Sequence, residues 1–380
     1  MLLIKNITIY SPALMGIKDV MIINDKIIKI ANNLEPIATN MTIIEGRGKI
    51  LIPGLIDGHV HIVGGGGEGS FKTRVSDVPL SKFIDGGITT VLGLLGTDST
   101  TRSVENVVAK AKALNEEGIS CYALTGAYGY PSPTITGSIQ KDITFVKEII
   151  GVKIAIADHR APSISKTELA RLASDARVAG LLANKAGIVV THVGDGKGKL
   201  KLIRDVLETW DIPLKTFIPT HVNRNEALLQ EAFDYATKGG VIDLTCGISK
   251  DLAPAKVVIR ALEKGINKEN ITISSDGFGS YSDYDENGNL NKIGVSSVSS
   301  LYEELLKIVN SKVLKLEDAL PFFTTNVAKA LGLDKTKGKI AENMDSDLLI
   351  LGSDFSLEYV IAKGKVLMKD GQVVVKGTFE

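Results

Sequence analysis

Cysteine is nearly absent from this chain of 380 residues, with only Cys121 and Cys246. Both stand in apolar, strand-like stretches, which argues against a disulfide framework or an all-cysteine metal site and for two buried thiols. Net charge is absent as well. The 44 basic and 44 acidic side chains cancel, so the chain as a whole offers no positive field for nucleic acid or an anionic membrane, although a local patch stays open. No apolar run reaches the ~18 residues of a membrane-spanning helix, and Lys5 interrupts MLLIKNITIYSP before a signal-peptide core can form. The expectation is a cytoplasmic protein. Repeats and low-complexity segments are missing too. Aromatic residues make up only 5% and histidine only five positions, so the placement of each histidine is informative.

What is present describes a soluble globular protein: 44% hydrophobic and 23% charged residues, with 38 glycines, exclude disordered and collagen-like chains. At ~150 residues per domain the length allows two to three domains, and an α/β barrel alone takes ~250. Short β-rich segments separated by Asn, Asp and Gly turns open the chain (LLIKNITIY, DVMIINDKIIKIA, TIIEGRGKILIPG) and return at its end (SDLLILG, LEYVIAKGKVLM, QVVVKGTFE). Lys369-Asp370-Gly371 reads as a hairpin turn. A small β-sandwich from residues 1–50 plus 342–380 is expected.

Between them, over 51–341, apolar β-rich runs alternate with amphipathic helical patterns such as SVENVVAKAKALNEEG and RNEALLQEAFDYATKGG. Eight strand candidates occur, at 50–62, 88–96, 119–128, 152–160, 188–194, 216–223, 241–248 and 271–279. Eight βα pairs fit a closed barrel better than an open sheet, because closure removes the edges. The expected fold class is α/β, a (β/α)8 barrel carrying its chemistry where strands end and loops begin.

The polar residues fall at those ends. His59 and His61 in DGHVH share one side of a strand, as the period of two requires. Two neutral imidazoles there can grip one divalent cation, or they can be an ordinary hydrogen-bonded pair. His192 closes the fifth strand, His221 the sixth and Asp276 the eighth, so four imidazoles and a carboxylate converge on one mouth. That set is too large for one tetrahedral ion and too small for two without a bridging ligand. Lys153, in VKIAIA on the fourth strand, is the candidate bridge. It either faces solvent or, kept neutral by burial, adds carbon dioxide to become a carbamate whose two oxygens join two metals.

These residues, with PGLIDGHVH and the SSD ending, resemble the amidohydrolase superfamily with a two-metal centre. Within it, HVHIVGGGGEG, LLGTDS, LTGAYGYPSPTITGS, GVKIAIADHR, PTHVNRN, SSDGFGS and the terminal KGTFE resemble the isoaspartyl (β-aspartyl) dipeptidases over essentially the full length. The resemblance implies one zinc on His59, His61 and Asp276, a second on His192 and His221, and carboxylated Lys153 with a hydroxide bridging both. Asp276 would be the general base and Tyr128 would stabilise the oxyanion. The substrate would be a small dipeptide whose aspartate is linked through its side chain. Glu68 suits its ammonium, and Arg160 and Arg224 suit carboxylates. Thr97, Ser280 and backbone at Gly66 would add contacts by family analogy, and a homo-oligomer, an octamer, is implied.

Bland readings stand beside these: surface ion pairs for the arginines, a flexible hinge for Gly64 to Gly67, and outer roles for His159 and Asp57 that orient the ligands or the strand. The glycine run lacks the lysine and hydroxyl of a nucleotide phosphate loop. A cyclic-amide hydrolase of the dihydroorotase or hydantoinase type would share the metals, and a non-catalytic scaffold would keep only the barrel.

Overall fold

The computed structural model describes residues 1–380. Five strands come first: β1 (Leu2–Tyr10), β2 (Leu14–Ile23), β3 (Lys26–Ala31), β4 (Thr42–Glu45) and β5 (Ile50–Pro53). Eight follow in alternation with helices: β6 (Leu55–Val60), β7 (Ile88–Gly93), β8 (Ser120–Gly126), β9 (Ile149–Ile156), β10 (Ile188–Val193), β11 (Phe217–Thr220), β12 (Ile242–Thr245) and β13 (Ile271–Ser274). A hairpin of β14 (Ser280–Tyr284) and β15 (Leu290–Val295) precedes the last helices. The chain then ends in β16 (Leu348–Leu351), β17 (Leu357–Ala362), β18 (Lys365–Lys369) and β19 (Gln372–Val373).

Strands β6 to β13 pair in chain order as an eight-stranded parallel sheet, the expected barrel. A lone bridge between Val60 and Gly277 draws its ends together, with the His61 N–H donating to the Gly277 carbonyl at 3.0 Å. Asp57 reinforces that seam. Its buried carboxylate accepts from the backbone and hydroxyl of Ser275 and from the His59 N–H, so it ties strand to strand. Burial pushes its carboxyl up to about 7, against the pull of those hydrogen bonds.

Alternation along the strands sorts the core. Ile56, Leu92, Leu124, Ile150, Val190 and Ile218 fill one end of the barrel with Val327 and Ala328 of the helix Thr325–Ala330. Outward neighbours such as Val91, Val152, Val189 and Leu244 join the larger core beneath the helices. Each fully buried aliphatic there contributes about 1.5–3 kcal/mol. The helices start where capping side chains stand: Ser103, Ser165 and Asn225 each accept from an N–H of the following turn.

Both chain ends build one nine-stranded sheet, in which β5 pairs parallel with β1 and antiparallel with β16. The single strand expected over 50–62 therefore divides at Gly54: its first half belongs to the terminal sheet and its second half starts the barrel. One face of this sheet, with Ile4, Ile7, Ile350 and Ile361, has its own core. The other face lays Leu349, Leu351 and Val360 onto the barrel's core. The hairpin turn is present, Lys369 pairing with Gln372 across Asp370 and Gly371, whose φ values of 49° and 75° are the left-handed pair such a turn needs. No helix is long and apolar enough to cross a membrane.

All eight barrel strands are shorter than expected, and three of them span only four residues. β11, β12 and β13 stop at Thr220, Thr245 and Ser274, because the next residues leave the ladder to enter the mouth. His221 (φ 62°) and Asp276 (φ 52°) adopt left-handed backbone there, a cost of about 1–3 kcal/mol each that surrounding structure offsets at functional sites.

Candidate active site

The histidines of the mouth gather as the spacing suggested. Ring centroids lie 5.8 Å apart for His59 and His61, 5.0 Å for His59 and His221, and 4.7 Å for His192 and His221. Ligand atoms of His59, His221 and Asp276 all fall within 4.8 Å of one another. Asp276 Oδ1 is 3.2 Å from His61 Nε2. A Cβ on Gly279 would sit 2.7 Å from that oxygen, so only glycine lets the backbone pass so close.

Lys153 is fully buried and turned inward, with Nζ 2.9 Å from His59 Nε2. A register shift between β8 and β9, at Ala123/Leu124 opposite Ile149/Gly151, explains the direction. Ile150 points into the barrel, the shift resets the alternation, and Val152 and Ile154 then face outward, leaving Lys153 inward. The solvent-facing alternative for this lysine is excluded.

Burial disfavours positive charge on three of the histidines and on the lysine. Burial pulls His59, His192 and His221 well below the ordinary histidine range, and neighbouring positive charge adds to it. Burial lowers Lys153 to about 7, against the raising fields of Asp276 and Asp243. His59 Nδ1, His61 Nδ1 and Asp276 Oδ1 are buried without a hydrogen-bond partner. Buried imidazoles, a buried amine and an unpaired carboxylate oxygen, with His59 Nε2 beside Lys153 and both His59 Nε2 and His61 Nε2 turned toward Asp276 Oδ1, are a donor set that fits divalent cations.

A cavity of about 410 Å³ opens beside this cluster, lined by His61, Gly66, Thr97, Tyr128, Arg160 and Arg224 among others. Glu68 lies behind it, its side chain only 7% exposed. Its Oε1 accepts from Thr97 Oγ1 at 3.1 Å, Ser280 Oγ at 2.9 Å and Arg160 Nη1 at 3.4 Å, which leaves Oε2 with Ser280 alone at 3.1 Å. Tyr128 is buried, its hydroxyl 2.6 Å from His192 Nδ1, and burial raises its pKa. Arg224 donates to the Val193 carbonyl and approaches exposed Asp195 at 3.7 Å. The arginines are thus not free surface ion pairs. His159 is exposed and stacks edgewise on Tyr284, outside the cluster.

Three features went unread in the sequence. Buried Arg102 donates to the carbonyls of Val63, Gly65 and Val75, so a side chain from outside the glycine run holds its first half. The hairpin β14–β15 walls the cavity with Tyr281, Asp283 and Lys292. Asp158 joins Arg160 to His192. Asp158 and Arg160 are adjacent to His159 in the string ADHR, but only the fold shows which of the three turn inward.

Residues 50–367 match the amidohydrolase family. The chain belongs to that family. Among solved structures, this amidohydrolase is similar to the β-aspartyl dipeptidase of Fervidobacterium islandicum AW-1 in complex with β-Asp-Leu, at 41% identity and TM-score 0.92 over 98% of both chains. It also matches the 5'-deoxyadenosine deaminase of Methanocaldococcus jannaschii at 23% identity over 98% of this chain and 95% of that protein. A dihydropyrimidinase from Brevibacillus agri, at 18% identity and TM-score 0.69 over 99% of this chain and 96% of that one, shares the fold.

Proposed function

We propose that this amidohydrolase cleaves β-aspartyl (isoaspartyl) dipeptides. The observation that carries the reading is a pair of opposite charges at one side of the cavity: the Glu68 carboxylate, just behind the lining residues Thr97 and Ser280 and with only Ser280 on its Oε2, beside the Arg160 guanidinium. A free α-ammonium and α-carboxylate on one carbon complement such a wall. The 41% identical relative that holds β-Asp-Leu supports it. A cyclic amide brings no ammonium, and a non-catalytic scaffold has no use for a retained ligand set.

In this reading His59, His61 and Asp276 would hold one zinc ion and His192 and His221 a second, with Lys153, carboxylated by carbon dioxide, as a further ligand for the pair. The pair supplies Lewis acidity and an acidified water. The chain's own residues do the rest. Glu68, Thr97 and Ser280 receive the ammonium, and Arg160 and Arg224 the carboxylate, with backbone at Gly66 lining the same wall. This places the side-chain amide at the cluster. Asp276 takes the proton from the attacking water and returns it to the leaving amine. Tyr128, which burial keeps protonated, donates its hydroxyl to the carbonyl oxygen as that atom gains charge. A homo-oligomer belongs to the same proposal, supported by the exposed apolar Phe145, Leu181 and Leu182 on neighbouring helices.

Zinc-loaded protein given β-Asp-Leu and α-Asp-Leu side by side should favour the β-linked peptide by about 100-fold or more in kcat/KM. Equal rates, or turnover of dihydroorotate in place of both, would reject the assignment. Lys153→Ala should lower zinc content and reduce activity by about 100-fold, with partial recovery in acetate or propionate, whose carboxylate fits the vacated space. Wild-type zinc content and rate in that variant would remove the lysine from the site.

A further inference from the structure

The carboxylate of Asp158 sits where the two halves of the cavity meet. Its Oδ2 is 2.8 Å from His192 Nε2 and 2.7 Å from Arg160 Nη2, while Oδ1 accepts from Arg160 Nε at 2.9 Å and from the Arg160 backbone N–H at 2.9 Å. The side chain is 5% exposed. Arg160 thus meets both carboxylate oxygens, Nε on Oδ1 and Nη2 on Oδ2, in the two-point geometry of a guanidinium–carboxylate ion pair.

Two consequences follow from stereochemistry. An ionised carboxylate only accepts, so the ring nitrogen facing it carries the hydrogen: His192 is the Nε2–H tautomer and its lone pair is on Nδ1. Nδ1 points into the cavity, where the Tyr128 hydroxyl meets it at 2.6 Å. On the other side, Asp158 takes the Nε–H and one Nη2–H of Arg160 as a side-on fork. Of the other donors, Nη1 already reaches Glu68 Oε1 at 3.4 Å, which leaves one Nη1 hydrogen and the remaining Nη2–H for a ligand carboxylate. The rings of Tyr128 and Tyr284, at 5.6 and 5.7 Å, flank the same guanidinium.

The backbone is built to hold this arrangement. Ala157, just before Asp158, is left-handed with φ 51°. The loop after β10 packs directly on it, so that a Cβ on Gly194 would fall 2.5 Å from Asp158 Cβ. The Gly196 N–H donates to the Ala157 carbonyl at 2.6 Å. Asp158 is thus pressed toward His192 by the strand that carries His192.

We propose that Asp158 is a positioning residue that sets, with one carboxylate, both the His192 lone pair offered to a metal ion and the fork that Arg160 offers to a substrate carboxylate. The proposal rests on the metal-site and dipeptide readings above, and it adds that the two sites share a support and weaken together.

The test compares wild-type protein with Asp158→Asn, which keeps the shape and removes the charge. Zinc affinity is read by competition with a chromophoric chelator, KM and kcat with β-Asp-Leu, and folding by the melting temperature of the metal-free protein. Zinc affinity should fall about 10- to 100-fold and KM should rise about tenfold, with metal-free melting close to wild type. A residue that merely stabilised the fold would lower melting and leave both other readings unmoved. Should Asp158→Asn fail to fold, Gly194→Ala pushes the same carboxylate aside with its charge intact, and the same two losses are expected. Zinc affinity within about twofold of wild type, or a KM that does not rise, overturns the proposal. Wild-type protein that binds zinc but leaves β-Asp-Leu intact overturns the dipeptide reading alone, since the zinc comparison still reports on Asp158.

Discussion

Asp276→Asn is expected to lower kcat for β-Asp-Leu by about 10³- to 10⁴-fold while leaving the protein folded. The magnitude is that of a lost general acid–base group, at the upper end because the same carboxylate touches the cluster. Among the proposed ligands, Asp276 alone can both take a proton from water and return it to an amine, since the imidazoles and the lysine have their lone pairs directed at one another or at the metal position. Folding should survive for a local reason. Asp276 has φ 52°, a conformation that asparagine tolerates as well as aspartate and most other residues do not. Its Oδ1 also makes no hydrogen bond that an amide would miss. Rate, zinc content and melting temperature separate the possibilities. A kcat within about tenfold of wild type would assign the proton transfer to another group, and an unfolded variant would mean that the backbone, not the chemistry, needs the carboxylate.

Most of this site could be read from residue types because metal chemistry demands a few donors and the chain has few histidines. In a barrel, the end of each strand is a fixed address, so His59, His61, His192 and His221 could be assigned to one mouth before any distance was known. The limits of the strands were less legible. An apolar run looks the same whether it continues one strand or changes sheets, and so Gly54, where the chain passes from the terminal sheet to the barrel, was read through. Conversely, β11 and β13 end early because polar residues bend away from the ladder with left-handed backbone, which composition alone does not reveal.

The direction of Lys153 was ambiguous for a related reason: one bulge inverts every later side chain, and the shift at Gly151 is a property of the β8–β9 pairing rather than of either string. Neither Arg102 nor Asp158 has a role that its residue type reveals, even though Asp158 lies within GVKIAIADHR. Both act by holding other groups, Arg102 through three loop carbonyls and Asp158 through His192 and Arg160. Supporting residues of this kind are defined by partners distant in sequence, and appear only once the chain is folded.

Glu68→Gln carries the second large expectation, a fall in kcat/KM for β-Asp-Leu of about 10³-fold or more with zinc content unchanged. The carboxylate accepts from Thr97, Ser280 and Arg160. An amide in its place would turn an NH₂ toward at least one of these donors and would offer no charge to an ammonium. Metal binding should be untouched, because Glu68 makes no contact with the histidines and reaches them only through the cavity wall. Succinyl-leucine, which is β-Asp-Leu without its amino group, isolates the effect. Wild-type protein should strongly prefer the aminated peptide, and the variant should treat the two alike, so that the preference itself is the coupling between Glu68 and the ammonium. If Glu68→Gln retains that preference, the ammonium sits elsewhere and the charged wall no longer argues for a dipeptide. A cyclic amide, which uses the metals without presenting an ammonium, would then be the better substrate class to pursue.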